Sequence, residues 1–335
     1  MLDITSLTME YDKSIDYAEI FRSSSLYREN MELVSELSKI RPNSEDLHFA
    51  SEYWQNFGSQ CSACLWKLHK SYWKNPEFNV VRFVTTVGTS NLFAIVFCKI
   101  GSNITSEQDI FNIFRVMYAS ALFQGFVNAI LMQPLVWMER TVLYREGSAG
   151  MYTSMAYTIA QVAVETPFVI LQVLLFSFIF YPMIGFQLSI VKFLWFLLFM
   201  LLNLSYFTMY GMMTVTLTPT PEIASSVSFL IYLLWSFFSG FFISRKMIPV
   251  WWRWLYWVNP AAWTLYGLMF SQLGDLDKPI HVPGNLDQPI NVFVQDLFGF
   301  QDNDFTIIMA LHFGVIMLFL SFFGFSIEKL NFQIR

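Results

Sequence analysis

Six stretches of this chain are apolar for about 20 residues or more, at roughly 79–99, 110–137, 155–181, 189–215, 222–244 and 305–327. A helix needs about 20 apolar residues to cross the hydrocarbon core of a bilayer. Lipid offers no partner for backbone N–H and C=O groups, so only helices and closed barrels span it. Runs of this length select helices, and the chain reads as an all-α, polytopic membrane protein with six transmembrane helices. Composition agrees, with 55% hydrophobic and 13% charged residues, where an ordinary soluble domain carries roughly 25% charge.

The charge is split. Residues 1–58 hold 5 Lys/Arg against 11 Asp/Glu, a net −6, while residues 59–335 hold 15 against 14, a net +1. The acidic head carries two short helical patterns, around Tyr17–Tyr27 and Met31–Ile40, and is too small for a core of its own. Neither part has the basic surface that nucleic-acid binding requires. The opening Met1–Lys13 has no basic region followed by an apolar run, so no cleaved leader is expected. Residues 59–75 form an amphipathic helix, with Cys61, Cys64, Leu65, Leu68 and Tyr72 on one stripe and Lys67, Lys70 and Lys74 opposite. That pattern fits a helix lying in a membrane interface or an ordinary surface helix. A seventh apolar region, 249–270, holds five Trp, Arg253 and the break Asn259–Pro260. Trp favours the lipid–water boundary, which points to a re-entrant or interfacial helix pair rather than a seventh span.

Six spans put both termini on one side. Lys67, Lys70 and Lys74 precede the first span, Arg140 and Arg145 lie between the second and third, and Lys329 and Arg335 follow the last. The opposite side has Arg245, Lys246 and Lys278 beside six Asp between residues 275 and 304. The positive-inside bias places the termini and the 138–154 loop in the cytosol. The triplet Asn103–Ile104–Thr105 then makes Asn103 an outward glycosylation candidate, whereas Asn203–Leu204–Ser205 lies inside the fourth span.

No GxxxxGK[ST], HExxH or GxSxG occurs, and the four histidines are scattered, so no catalytic or metal-ligating set is expected. Cys61-x-x-Cys64 reads as two positions of one amphipathic face. Ionisable groups inside spans are costly and mark pairing or function. Glu165 in the third span is one, either paired within the bundle or coupled to function. His312 in the last span is another. Arg115 and Lys192 lie near span ends, where long side chains snorkel. The segment Glu139–Glu146, with its mixed charges, suits docking to a soluble partner or merely solvated helix ends.

Five segments point to a family: WKLHKSYWKNPEFNVVRF at 66–83, MERTVLYREGSAGMY at 138–152, VETPFVILQ at 164–172, FFSGFFISRKMIPVWWRWLYWVNPAAWTLYGL at 237–268 and FSIEKLNFQ at 325–333. Together they resemble the last membrane domain of full-size G-family ABC transporters, most closely the pleiotropic drug resistance type of plants. The resemblance runs through the chain but covers only the final quarter of such a transporter. It implies a cytosolic connector from a missing nucleotide-binding domain at 1–58 and an ABC-2 type transmembrane domain at 59–335. A truncated product or one fragment of a larger pump is the expectation.

The resemblance also implies roles. The function expected is the transmembrane part of an ATP-driven exporter of amphipathic small molecules, in the plasma membrane, with no ATPase activity of its own. The alternative is a non-transporting fragment that pairs with a full-length relative. The expected partners are nucleotide-binding domains, a second transmembrane domain, the bilayer and the exported molecule, with ATP and Mg held by the missing domains and no cofactor by this chain. Coupling would run through 59–75 and 139–152, with Glu139, Arg145, Glu146 and Glu165. The substrate cavity would be lined by Gln124, Val127, Asn128 and Leu131 of the second span and Phe229, Leu233 and Ser236 of the fifth. Phe241 and Phe242 match the apolar gate above it. Arg115 stands where the family pattern has a small or apolar residue.

Overall fold

The computed structural model describes residues 17–39, 53–102, 104–277, 279–280, 288–299, 304–330 and 332. The chain divides into two compact units at residues 52 and 53. The first contains α1 (Tyr17–Ser23) and α2 (Ser25–Leu37). Ser24 caps α2 by accepting a hydrogen bond from the Tyr27 N–H at 3.2 Å, and α2 buries no residue. The break expected at Arg41–Asn43 lies outside the described residues.

The second unit starts with α3 (Phe57–Lys74) and α4 (Pro76–Val96), then α5 (Glu107–Ser148), α6 (Ser154–Ile184), α7 (Ile190–Leu217) and α8 (Pro221–Phe237). Two 3₁₀ turns lead into α9 (Arg253–Val258) and α10 (Pro260–Leu273). Gln288–Pro289 pairs antiparallel with Pro279–Ile280, a two-residue ladder the apolar pattern did not signal. The chain ends with α11 (Ile290–Phe298) and α12 (Asp304–Lys329). Helix starts follow local chemistry. Asn75 accepts from Phe78 N–H ahead of Pro76, Ser106 and Asp109 form a capping box, and Asn259 accepts from Ala261 N–H ahead of Pro260.

Five helices, α4, α5, α6, α7 and α12, are long and apolar enough to cross a membrane, and α8 is a shorter apolar helix. The chain is thus an all-α polytopic membrane fold. The expected fifth span, 222–244, is corrected: its helix ends at Phe237. Gly240, at φ +89°, turns the backbone away in a conformation that side-chain-bearing residues rarely adopt. Phe241 and Phe242 therefore sit in a turn beyond the helix. In contrast, α5 continues well past residue 137, so most of the expected 138–154 loop is helix.

Helix α7 is the hub and packs on α5, α6, α8, α10 and α12. It is buried on every side for much of its length, as a helix apolar all round must be. Its close approach to α5 is set by Gly211, whose missing Cβ would stand 2.4 Å from the Ala129 carbonyl oxygen. Small residues admit such backbone contacts in membrane bundles. His312 of α12 fills a buried niche, with Nε2 3.0 Å from Thr264 Oγ1 and Nδ1 2.8 Å from the Ile308 carbonyl. These contacts make it a packing group that ties α12 to α10.

Candidate functional site

At one end of the bundle α3 lies along α6. Its buried stripe is Gln60, Cys64, Leu68 and Tyr72, which pack with Tyr157, Ala160 and Val164 of α6. Of the stripe read as facing a membrane interface, Cys64, Leu68 and Tyr72 face protein and Cys61 is half-buried, while Leu65 is exposed together with Trp66. Burial pushes the Cys64 thiol up to about 11, away from the thiolate that redox chemistry needs. The long α5 brings its charged end to α3. Lys67 pairs with Glu146, which also accepts from Tyr152. Ser71 Oγ donates to Glu139 at 2.5 Å, and Thr153 N–H donates to Gln60 Oε1 at 2.9 Å. Glu139 and Glu146 are therefore joined to one helix, while Arg145 is exposed. Lys67 and Ser71, one turn apart on α3, answer two acids that lie two turns apart on α5, a match visible only once α3 is docked.

Deeper in the bundle, Glu165 on α6 pairs with Arg82 on α4, both fully buried. Arg82 Nε donates to Gln172 Oε1 at 2.6 Å. Thr86 Oγ1 accepts from Gln172 at 3.0 Å and from Gln124 at 3.1 Å, and Thr89 donates to Gln124 at 2.8 Å. This polar chain links α4, α5 and α6. The sequence reading missed Arg82, which sits near a span start where snorkelling is ordinary. Its signal was Glu165, an acid that needs a partner. Lys192, near the start of α7, is likewise held by partners. It is 8% exposed and donates to the Gln272 carbonyl at 2.9 Å and to Asp275 at 2.5 Å. Arg115 is exposed and donates to Asn112 at 2.6 Å.

The expected cavity residues fall into two groups. Gln124, Asn128 and Ser236 are buried and engaged within the chain: Gln124 as above, Asn128 with Thr208 at 2.6 Å, Ser236 with the Tyr118 hydroxyl. Val127, Leu131 and Leu233 are half-buried and Phe229 is exposed, leaving an apolar face on α5 and α8. The two helices are joined by rings, with Phe126 stacked on Tyr232 at 4.2 Å. Beside this seam a cavity of about 490 Å³ opens among α4, α5 and α8, lined by Thr89, Leu92, Phe93, Tyr118, Phe123 and Tyr232. That size and lining suit a flat apolar molecule. Phe241 stacks on Tyr118 at 4.2 Å and meets Phe114 edge-on at 5.3 Å, whereas Phe242 is 58% exposed. Asn103 lies outside the described residues. Among the described residues no group of three His, Cys, Asp or Glu side chains comes together to hold a metal ion.

Residues 59–273 match the family model described as ABC-2 type transporter. The whole chain is 58% identical to ABC transporter G family member 45 of Oryza sativa subsp. japonica, covering 100% of this chain and 25% of that protein. It is 45% identical to ABC transporter G family member 39 of Arabidopsis thaliana and 43% identical to Pleiotropic drug resistance protein 1 of Nicotiana tabacum, in each case over 100% of this chain and 23% of the relative. The chain thus spans about a quarter of the length of the curated relatives it matches.

Proposed function

Because the chain belongs to the ABC-2 type transporter family, as a membrane domain of the plant G-family kind, we propose that it forms one transmembrane half of an ATP-driven exporter of amphipathic small molecules. The observation that carries this reading is the joint between α3 and the end of α5. Lys67 and Ser71 hold Glu146 and Glu139 in a compact unit at one end of the bundle. In this reading the unit passes force from a soluble domain into α5, whose Tyr118 and Phe123 line the cavity. These 335 residues contain no phosphate-cradling loop, so ATP and Mg belong to partner nucleotide-binding domains. The joint then lies on the cytosolic side, with both termini, in the plasma membrane. A second transmembrane domain would close the substrate cavity against the exposed faces of α5 and α8.

The test is ATP-driven uptake of an amphipathic dye into inside-out vesicles carrying the complete transporter. With Glu139→Ala the membrane level is expected to hold while dye moved per ATP hydrolysed falls about fivefold or more, the scale of an ordinary coupling energy. Unchanged dye movement per ATP would remove Glu139 from the coupling role.

Phe242 is the more exposed of the two gate rings, and an apolar constriction gates by excluding water. Phe242→Ala is expected to alter export with normal protein in the membrane. Phe241→Ala removes a half-buried ring packed on Phe114, Tyr118 and Phe242 and is expected to lower the amount of protein instead, at a cost approaching the roughly 3 kcal/mol lower end for a buried Phe. Membrane level measured beside export separates the two effects. Normal export by well-expressed Phe242→Ala would leave no gate at that ring.

A further inference from the structure

We propose that Arg140 is a positioning residue that carries movement of the α3-facing end of α5 into α8, by clamping the turn between α7 and α8. It follows Glu139 directly, and neighbouring helical residues point about 100° apart. Glu139 is held by Ser71 of α3. Arg140 reaches the other way and is 4% exposed. Its Nη1 donates to the carbonyls of Val215 at 2.7 Å and Thr218 at 2.6 Å, and its Nη2 donates to that of Pro219 at 2.8 Å. The last carbonyls of a helix lack partners within it and carry the negative end of its dipole. A guanidinium there makes charge-assisted bonds, roughly twice as strong as neutral ones. The Phe332 ring, 5.2 Å away, covers its outer side.

The turn so held is short and stiff. Only Thr218, Pro219 and Thr220 separate α7 from α8, and Pro221 opens α8. Two prolines lock their φ angles, so a shift of this turn passes to α8 and is not absorbed. One residue type further along the same side of α5 acts with it. Gln133, seven residues before Arg140 and hence two turns away, donates to Ser228 Oγ at 2.7 Å and accepts from Ser225 Oγ at 2.8 Å, both on α8. Helix α5 thus holds the turn before α8 through Arg140 and the first half of α8 through Gln133, while Tyr232 of α8 lines the cavity. Glu139 and Arg140 join the connecting helix to the helix bordering the substrate path through adjacent residues.

The inference rests on the export reading above, and the experiment tells the two apart. The complete transporter is reconstituted in vesicles as wild type, Arg140→Lys, Arg140→Gln and Pro219→Gly. ATP hydrolysis, uptake of a rhodamine dye and membrane level are measured on each. Arg140→Gln is expected to lower dye moved per ATP about fivefold or more, the range of a coupling energy. Arg140→Lys, a point charge without the planar fork, should fall between it and wild type. Pro219→Gly keeps every carbonyl acceptor but loosens the turn, and it should uncouple in the same way even if Arg140→Gln fails to accumulate. Proportional loss of hydrolysis, uptake and protein across the set would mark a purely structural clamp and overturn the link. So would wild-type dye movement per ATP in Arg140→Lys and Pro219→Gly. A wild-type transporter that hydrolyses ATP without moving any amphipathic dye overturns the export reading, and the link with it.

Discussion

Glu165→Gln is expected to remove most of the protein from the membrane. The carboxylate and the Arg82 guanidinium are both fully buried and pair across α6 and α4. Neutralising one partner strands a cation in a dry interior, which costs about 3–5 kcal/mol. The Arg82 side chain, wedged between the Phe78 and Phe168 rings at 5.8 and 5.9 Å, has no route to water. Gln172 and Thr86 are committed to the same network. Replacing both charges with apolar groups of similar volume is often neutral or stabilising, so Arg82→Met with Glu165→Leu should restore the level that Glu165→Gln loses. Membrane abundance and thermal stability of the complete transporter, compared across wild type, single and double variants, check this. A well-expressed, thermally normal Glu165→Gln would show that the pair does not hold α4 to α6.

Gly211→Ala should be comparably damaging for a different reason. The added methyl would stand 2.4 Å from the Ala129 carbonyl oxygen and 2.9 Å from its Cα. Both are backbone atoms of α5, so no rotamer change relieves the clash and the helices must separate. Overpacking of this kind costs about 1–3 kcal/mol and occasionally more. The control is Gly88→Ala in α4, where a Cβ meets nothing within 4 Å. There the substitution removes helix-interior glycine and should gain up to about 1 kcal/mol. Thermal unfolding followed by size-exclusion chromatography should show Gly211→Ala well below wild type and Gly88→Ala at or above it. Equal behaviour of the two variants would mean that the α5–α7 approach tolerates expansion.

What the amino-acid sequence determined by itself is local in origin. Apolar runs of about 20 residues dictate spanning helices wherever lipid is the solvent, and five long helices with a shorter sixth bear this out. The break at Asn259–Pro260 and the aromatic pair of short helices were equally legible, because a proline removes a donor and fixes its own φ. The charged acids at 139 and 146 were legible as a pattern, and Glu165 as an anomaly. Tertiary structure alone decided who meets whom. Arg82 and Glu165 lie 83 positions apart, and no local preference chooses Gln172 and Thr86 as their neighbours. The end of the fifth span also escaped the pattern. Residues 238–244 are as apolar as those before them, yet the helix ends at Phe237 and Gly240, at φ +89°, turns beside the Tyr256 ring. Hydropathy reports what a segment can dissolve in, whereas the partner of each buried polar group is set by distances that exist only after the helices have docked. For that reason Arg140, which sequence placed among loop charges, proved to be buried and bonded to the carbonyls of Val215, Thr218 and Pro219.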